Sequence, residues 1–312
     1  MQTGKKQEAL SAFRSAYQMP YDAKVQQLAH EQYAKLSYDI GNPFEGAPNV
    51  IQSYIKKYPN SPKVAEMKSL LVKSYLYSGN YKETLSAIDK LSSTDADTKK
   101  ISQEVSFLLG TEEFNKGNFD GAEKYFQRSL ELNENREITP RANYWLGQTY
   151  YQKENFLGAI SQYEKLLNQD FAEKQQLTYD LGYAYFKAKN FPKAQEYFKQ
   201  YLTNPKADFK SDAELRLADT YYADNNLNEA IAIYDKNDSG DEYTLFQKSM
   251  AFGFKGDTEA KIKNLKNLIS TYPNSEYVDD AQYEICSTSA AQDVSCYSND
   301  FFSIVINWSA DM

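Results

Sequence analysis

The sequence is poor in the side chains that most often build catalytic and metal sites. It has one histidine, His30, and two cysteines, Cys286 and Cys296, among 312 residues. Sites that need several histidines are therefore excluded, and neither cysteine has a histidine nearby to complete a zinc site. A single cysteine pair in a chain of this length does not make a disulfide framework either. We expect both cysteines to be incidental, and we expect no metal site and no cofactor.

The motifs of nucleotide-binding and catalytic loops are also missing. Neither GxxxxGK[ST] nor GxGxxG occurs, so no phosphate-binding loop is predicted. His30 stands in the helical pattern LAHEQYAKL, where a histidine usually packs or faces water. The adjacent carboxylates Glu112 and Glu113 would point about 100° apart on a helix and not at one substrate atom. We predict no catalytic residue and a protein that is not an enzyme.

No long apolar run is present. The most apolar stretch, FFSIVINW at residues 301–308, is far shorter than the roughly 20 residues that a membrane helix needs. The first residues lack the charged and apolar regions of a signal peptide. We therefore predict that the chain does not span a membrane.

Basic residues are absent from the last part of the chain. The sequence holds 35 Lys and Arg against 43 Asp and Glu, a net charge of −8, and none of the bases follows Lys266. This balance argues against nucleic acid as the main partner. The segment 208–242 has ten acids and three bases. It is interpreted as a solvated surface or, alternatively, as a docking face for a basic partner.

What the sequence does contain is a repeat. A helical stretch with Leu-Gly-x-x-Tyr or a close variant leads into a short turn, then a small residue, then an aromatic or aliphatic residue four positions later. It reads LLGTEEFNKGNFDGAEKYF from Leu108, WLGQTYYQKENFLGAISQY from Trp145, DLGYAYFKAKNFPKAQEYF from Asp180 and RLADTYYADNNLNEAIAIY from Arg216. The small residue falls at Ala9, Ala47, Ala122, Ala159, Ala194 and Ala230, with Thr84 and Lys261 as substitutes. The turns are predicted to take positive φ at Gly79, Gly117, Gly256, Asn42, Asn155, Asn190 and Asn226.

This pattern resembles the tetratricopeptide repeat, a helix–turn–helix unit of about 34 residues. The resemblance covers roughly residues 1–285 and is strongest over 103–235, where Leu109-Gly110 and Leu146-Gly147 occupy Leu-Gly positions of the family. It implies an all-α fold, a right-handed superhelical solenoid of antiparallel helix hairpins. The longer units, with YPNSP at 58–62 and YPNSEYVDDAQYEI at 272–285, resemble a bacterial cell-envelope branch of the family. That branch includes outer-membrane-protein assembly lipoproteins and Tol–Pal-associated repeat proteins.

Both ends of the repeat pattern are incomplete. The first helix carries the second-helix residues Ala9, Phe13 and Ala16 without a preceding partner, and Tyr277–Ile285 begins a first helix that no second helix follows. We expect residues 1–285 to be an interior fragment of about seven full hairpins with partial ends. Residues 286–312 are predicted to be a poorly ordered tail foreign to the array, either an insertion or a sequence artefact. A start inside the array would have lost a signal sequence, so the expected location is the periplasm or cell envelope, with the cytoplasm as the alternative.

The resemblance also implies a binding groove, because the first helices of tetratricopeptide proteins line a groove that takes peptides. In this register the groove residues are Phe107, Thr111, Phe114, Tyr144, Gln148, Tyr151, Tyr179, Tyr183, Phe186, Asp219 and Tyr222. Aromatic side chains are common binding anchors, although they also suit the packing of the hairpins. The predicted function is a non-catalytic scaffold for a protein or peptide partner. The alternative is a regulatory segment of a larger multidomain protein whose active module lies outside this fragment.

Overall fold

The computed structural model describes residues 5–20, 22–205, 207–236 and 241–289. In these residues all regular structure is helical, which confirms the all-α fold expected from the sequence. The helices are α1 Lys6–Gln18, α2 Ala23–Ile40, α3 Ala47–Lys57, α4 Val64–Tyr77, α5 Tyr81–Asp89, α6 Ala96–Asn115, α7 Phe119–Leu132, α8 Ile138–Gln152, α9 Phe156–Glu164, α10 Leu177–Lys187, α11 Phe191–Leu202, α12 Lys210–Ala223, α13 Leu227–Lys236, α14 Glu242–Phe254, α15 Thr258–Thr271 and α16 Val278–Ser289. Within the described ranges, none of these helices is both long and apolar enough to cross a membrane.

The chain divides into two compact units, residues 1–174 (unit 1) and residues 175–312 (unit 2). In unit 1 the hairpins are α2–α3, α4–α5, α6–α7 and α8–α9, and α1 packs on α2. In unit 2 the hairpins are α10–α11, α12–α13 and α14–α15, and α16 packs on α15. The last helix continues past the predicted boundary at Ile285 as far as Ser289. The rest of the predicted tail, residues 290–312, lies outside the described residues.

The turn inside each hairpin has a residue with positive φ, and in several hairpins an asparagine follows it and caps the second helix. One residue takes a left-handed conformation, and these residues are Gly41, Gly79, Gly117, Glu154, Lys189, Asn225 and Gly256. The prediction of positive φ is confirmed at Gly79, Gly117 and Gly256, whereas Asn42, Asn155, Asn190 and Asn226 each lie one residue after the residue that takes it. Asn155 instead caps α9, because its side chain accepts a hydrogen bond from the Gly158 N–H at 3.0 Å. Asn190 caps α11 in the same way.

The Leu-Gly motif allows the two helices of a hairpin to approach closely. A Cβ atom added to Gly147 would lie 2.4 Å from the ring of Tyr163, and one added to Gly182 would lie 2.7 Å from the ring of Phe198. Both rings are fully buried. The small residue that opens the second helix, such as Ala159, is also fully buried. The recurring glycine is thus explained by an aromatic ring on the facing helix.

We expect Gly147→Ala to lower the free energy of unfolding by about 2–3 kcal/mol, because the new methyl group overlaps a ring held in a packed core. The control is Gly46→Ala, since a Cβ atom there meets nothing nearer than 3.8 Å. This control should stay within about 0.5 kcal/mol of the parent. Urea unfolding followed by circular dichroism measures both variants. Equal stability of the two would show that the Tyr163 ring moves aside at little cost.

Candidate functional site

The first helices of unit 2 bring six polar and aromatic side chains together, which we call the Tyr–Asp–Arg cluster. Its members are Tyr179 and Tyr183 of α10, Asp212, Arg216 and Asp219 of α12, and Tyr243 of α14. Spacings of three or four residues place the members from one helix on the same face of that helix. The cluster therefore joins the first helices of three successive hairpins.

Asp212 organises one half of the cluster. Its Oδ2 accepts hydrogen bonds from the hydroxyls of Tyr179 and Tyr183, both at 2.6 Å. Its Oδ1 lies 3.4 Å from Nε of Arg216. Burial, together with the hydrogen bond to Asp212, raises the pKa of Tyr183 to about 12. Tyr183 is therefore a protonated donor at neutral pH, and the Asp212 side chain remains 36% exposed.

Asp219 organises the other half and is far less accessible. Its Oδ1 accepts from the hydroxyl of Tyr234 at 2.6 Å, and its Oδ2 accepts from Tyr243 at 2.7 Å and from the Arg216 guanidinium at 2.5 Å. The Asp219 side chain is 8% exposed, against 25% for Arg216. The carboxylate thus has three donors in a setting almost closed to water.

The two partners of this ion pair respond differently to their surroundings. Burial raises the pKa of Asp219, and the Tyr234 hydroxyl and Arg216 oppose that rise. Burial, the largest single influence, lowers the pKa of Arg216, but Asp219 acting together with Tyr243, Tyr183 and Asp212 outweighs it and raises that pKa above its ordinary value. The difference follows from exposure, because the more buried carboxylate loses more hydration than the guanidinium. Arg216, Tyr234 and Tyr243 donate hydrogen bonds to the Asp219 oxygens, and these bonds favour the charged form against the effect of burial.

Aromatic side chains surround the charged centre of the cluster. The Tyr179 ring stacks on Phe209 with centroids 5.5 Å apart, and Phe209 is 49% exposed. On α14, Tyr243 packs near Tyr277, and its ring lies under the guanidinium of Arg216 at 5.2 Å. This arrangement offers aromatic faces for stacking and a partly exposed carboxylate for hydrogen bonds or ion pairs with a partner.

In unit 1, two first helices, α6 and α8, are linked near a different acid, Glu173. Arg141 of α8 pairs with Glu173 at 2.9 Å and lies over the Phe107 ring at 4.9 Å. The indole N–H of Trp145 also donates to Glu173, at 3.2 Å. Trp145 in turn packs edge-on against Phe114 with centroids 5.2 Å apart. Arg141, Trp145 and Glu173 were not predicted from the sequence, since Glu173, the partner of the other two, lies in the loop after α9, outside the repeat register.

The structure separates the eleven predicted groove residues by burial. Phe107, Tyr144 and Asp219 are only 4%, 5% and 7% exposed. These three belong to the interior of their hairpins and leave little surface for a partner. The other eight are half-buried, and they are Thr111, Phe114, Gln148, Tyr151, Tyr179, Tyr183, Phe186 and Tyr222.

Several of the half-buried residues also hold their own turns. Phe114 packs on Phe119, the first residue of the following helix, with centroids 5.5 Å apart. Tyr151 on Phe156 and Phe186 on Phe191 repeat this contact at 5.5 Å and 5.9 Å. Thr111 donates to the Phe107 carbonyl, and Gln148 donates to the Tyr144 hydroxyl. Tyr222 packs against Phe254 at 5.6 Å.

Of the predicted residues, the structure therefore links Tyr179, Tyr183 and Asp219 through Arg216, which the sequence reasoning missed. Asp212 and Tyr243 were missed as well. The signal for α12 is present in the sequence, because Asp212, Arg216 and Asp219 follow helical spacing. The contact with Tyr243 is not, since it joins residues 24 and 27 positions apart.

Comparisons with known proteins agree with this architecture. A tetratricopeptide repeat model matches residues 107–175 and 179–241, and a second model of the same description matches 243–275. Together the matches span more than half of the chain. No curated protein is similar enough in sequence to match.

Several solved structures are similar in fold at low sequence identity. YrrB, a TPR protein with an unusual peptide-binding site, is 19% identical, with a TM-score of 0.48 over 57% of this chain and 91% of its own. MamA from Desulfovibrio magneticus RS-1 is 15% identical, with a TM-score of 0.48 over 56% of this chain and 97% of its own. PilF of Pseudomonas aeruginosa is 16% identical, with a TM-score of 0.44 over 73% of this chain and 97% of its own.

Proposed function

The chain belongs to the tetratricopeptide repeat family, whose members are protein-interaction scaffolds, and from that premise we propose that it is a non-catalytic scaffold. Its partner, a protein or peptide, binds along the first helices of unit 2. The observation that carries this proposal is the Tyr–Asp–Arg cluster. It is held in one geometry by hydrogen bonds, and it keeps Asp212 and the neighbouring Phe209 accessible.

The chemistry of this surface favours a basic partner segment with aromatic or apolar side chains. Residues 207–236 hold seven carboxylates and three bases. Phe209 and Phe254, both carried by or next to first helices of unit 2, are 49% and 68% exposed. A Lys or Arg side chain of the partner reaches Asp212, and its apolar side chains cover these rings.

We propose a bacterial cell envelope as the setting. The support is the pair of YPNS segments, which have the same local structure in both units. Tyr58 ends α3 with φ −127° and ψ 59°, and Tyr272 ends α15 with φ −125° and ψ 66°. Ser61 and Ser275 each donate a backbone hydrogen bond to the preceding tyrosine carbonyl at 3.0 Å. A lipoprotein signal found upstream in the gene sequence would support this setting. A signalling module found fused to the array would instead favour the alternative of a regulatory segment.

Selection from a random peptide library tests the binding surface. We expect selected peptides to be rich in Lys, Arg and aromatic residues and to bind Asp212→Ala about tenfold more weakly, equivalent to about 1.4 kcal/mol. The matched control is Glu229→Ala, which removes the same charge from an exposed site on the second helix of the same hairpin. It should bind within about twofold of the parent. Equal weakening in both variants would mean that only the overall charge matters, and would contradict the proposed surface.

A further inference from the structure

The second helices of unit 1 carry a groove lined by lysines. Its first part lies between α3, α4 and α5 and has a volume of about 460 Å³. Lys56, Lys68 and Lys90 line this part together with one carboxylate, Glu83. The apolar lining comes from residues such as Leu71.

The groove continues between α5 and α7. This second part has a volume of about 600 Å³ and shares the lining residues Ser86, on α5, and Lys90, at the end of α5, with the first part. We call these two neighbouring parts together the lysine groove. It adds the bases Lys82, Lys124 and Arg128 and the acids Asp89 and Glu131. The guanidinium of Arg128 is engaged by Asp89 through contacts of 2.7 Å and 3.2 Å.

Most lysines of this groove have no carboxylate partner. Within the described part of the chain, Lys56, Lys68, Lys90 and Lys124 form no ion pair, whereas Lys82 lies 3.7 Å from Glu113. Lys68 points its ammonium to the Lys90 carbonyl at 3.4 Å, which keeps it at the wall of the groove. Like charges that line one groove repel one another, and an anionic ligand bound there would reduce that repulsion.

The local charge is opposite to that of the whole protein. Residues 52–90 hold seven lysines and three acids, in a chain whose net charge is −8. An anionic ligand is therefore attracted by the lysines of this groove, although the net negative charge of the whole protein repels it at long range. At physiological ionic strength the field is screened beyond about 8 Å, so contacts inside the groove decide binding.

We propose that the lysine groove binds an acidic, extended segment of a partner protein. An extended chain can run across these two neighbouring parts, and its carboxylates match the lysines that line each part. The apolar lining formed by residues such as Leu71 and Leu85 accepts aliphatic side chains between the acids. The groove uses none of the residues of the Tyr–Asp–Arg cluster, so it stands or fails independently of the function proposed above.

A labelled acidic peptide tests this surface on the full chain. The probe is a fluorescein-labelled decapeptide with six Glu and two Leu, and binding is followed by fluorescence anisotropy at low salt. We expect Lys56→Gln/Lys90→Gln to weaken binding at least about fivefold, because it removes one charge from the first part of the groove and one that lines both parts. The matched control, Lys24→Gln/Lys100→Gln, removes two exposed charges elsewhere in unit 1 and should stay within about twofold.

Three results would overturn the proposal. Equal weakening in both double variants shows attraction to overall charge alone. Displacement of the peptide by inorganic phosphate, but not by chloride at the same ionic strength, shows a phosphate site. Self-association in sedimentation velocity that Lys56→Gln/Lys90→Gln abolishes shows that a second copy of this chain occupies the groove.

Discussion

Asp219→Ala is expected to lower the free energy of unfolding of unit 2 by about 3–5 kcal/mol. The change removes the acceptor for three donors at once, Arg216, Tyr234 and Tyr243. Tyr234 is fully buried, so its hydroxyl cannot turn to water. A buried donor without an acceptor keeps its full desolvation cost, and the Arg216 guanidinium also loses its shortest ion pair, keeping only the longer one to Asp212.

The comparison variant is Asp212→Ala on the same helix. Asp212 also accepts from two tyrosines and contacts Arg216, but its side chain is 36% exposed, so water replaces the lost acceptor. We expect a cost of about 1 kcal/mol. Urea unfolding curves of both variants decide the matter. If Asp219→Ala cost no more than Asp212→Ala, Asp219 would not be the structural centre of the cluster.

The second large effect concerns His30 in unit 1. His30 is fully buried, stacks on Tyr17 with centroids 4.4 Å apart and lies edge-on to Tyr54 and Tyr58. Among the described residues, neither ring nitrogen makes a hydrogen bond of good geometry, and only a weak contact with the Val50 backbone opposes the fall in its pKa. Burial, with a smaller contribution from the nearby charge of Lys57, lowers the pKa of His30 from 6.5 to about 4. The folded protein therefore holds this ring neutral in an aromatic enclosure.

Stability should fall as the solution is acidified. Below pH 6.5 the unfolded chain binds a proton at His30 that the folded chain does not bind until about pH 4. The contribution of His30 to the free energy of unfolding is therefore complete above pH 6.5 and falls as the pH drops. About 2 kcal/mol of it is lost between pH 7.5 and pH 5. Urea unfolding at the two pH values measures this loss.

His30→Phe is the matched control, because it keeps an aromatic ring beside Tyr17 and removes the only histidine of the sequence. The comparison is between pH dependences, so a change in absolute stability of the variant does not affect it. Between pH 7.5 and pH 5, the free energy of unfolding of the variant should fall by about 2 kcal/mol less than that of the parent. Identical pH dependence in the two proteins would show that His30 is accessible to protons in the folded state.

The sequence was sufficient to predict the fold, because the same residue pattern recurs at regular spacing and each copy corresponds to one helix hairpin. Each Leu-Gly pair and each small residue marks a contact between helices of one hairpin, as Gly147 and Tyr163 show. Turn geometry was predicted less well. The Asn residues fit a positive φ and an N-cap equally from sequence, and only the backbone shows that Glu154 takes the first role and Asn155 the second.

The site was harder to predict, because the position of a residue along a helix does not determine whether its side chain is buried. Tyr144 and Tyr151 lie two turns apart on α8, yet only Tyr144 is enclosed, since Phe171 from the following loop packs on it at 5.8 Å. Arg216 gained its role from contacts on both sides, with Asp212 and Asp219 on its own helix and Tyr243 on α14. Such long-range partners have no periodic signature in the sequence.

Site-specific photo-cross-linking in the native host tests the proposed binding surface most directly. A photoreactive phenylalanine analogue replaces Phe209, beside the Tyr–Asp–Arg cluster, or Leu157, a second-helix residue that is more exposed at 73%. We expect a discrete cross-linked protein from position 209 and none from position 157. Cross-links to the same protein from position 157, with none from position 209, would contradict the assignment of the partner to the first helices of unit 2.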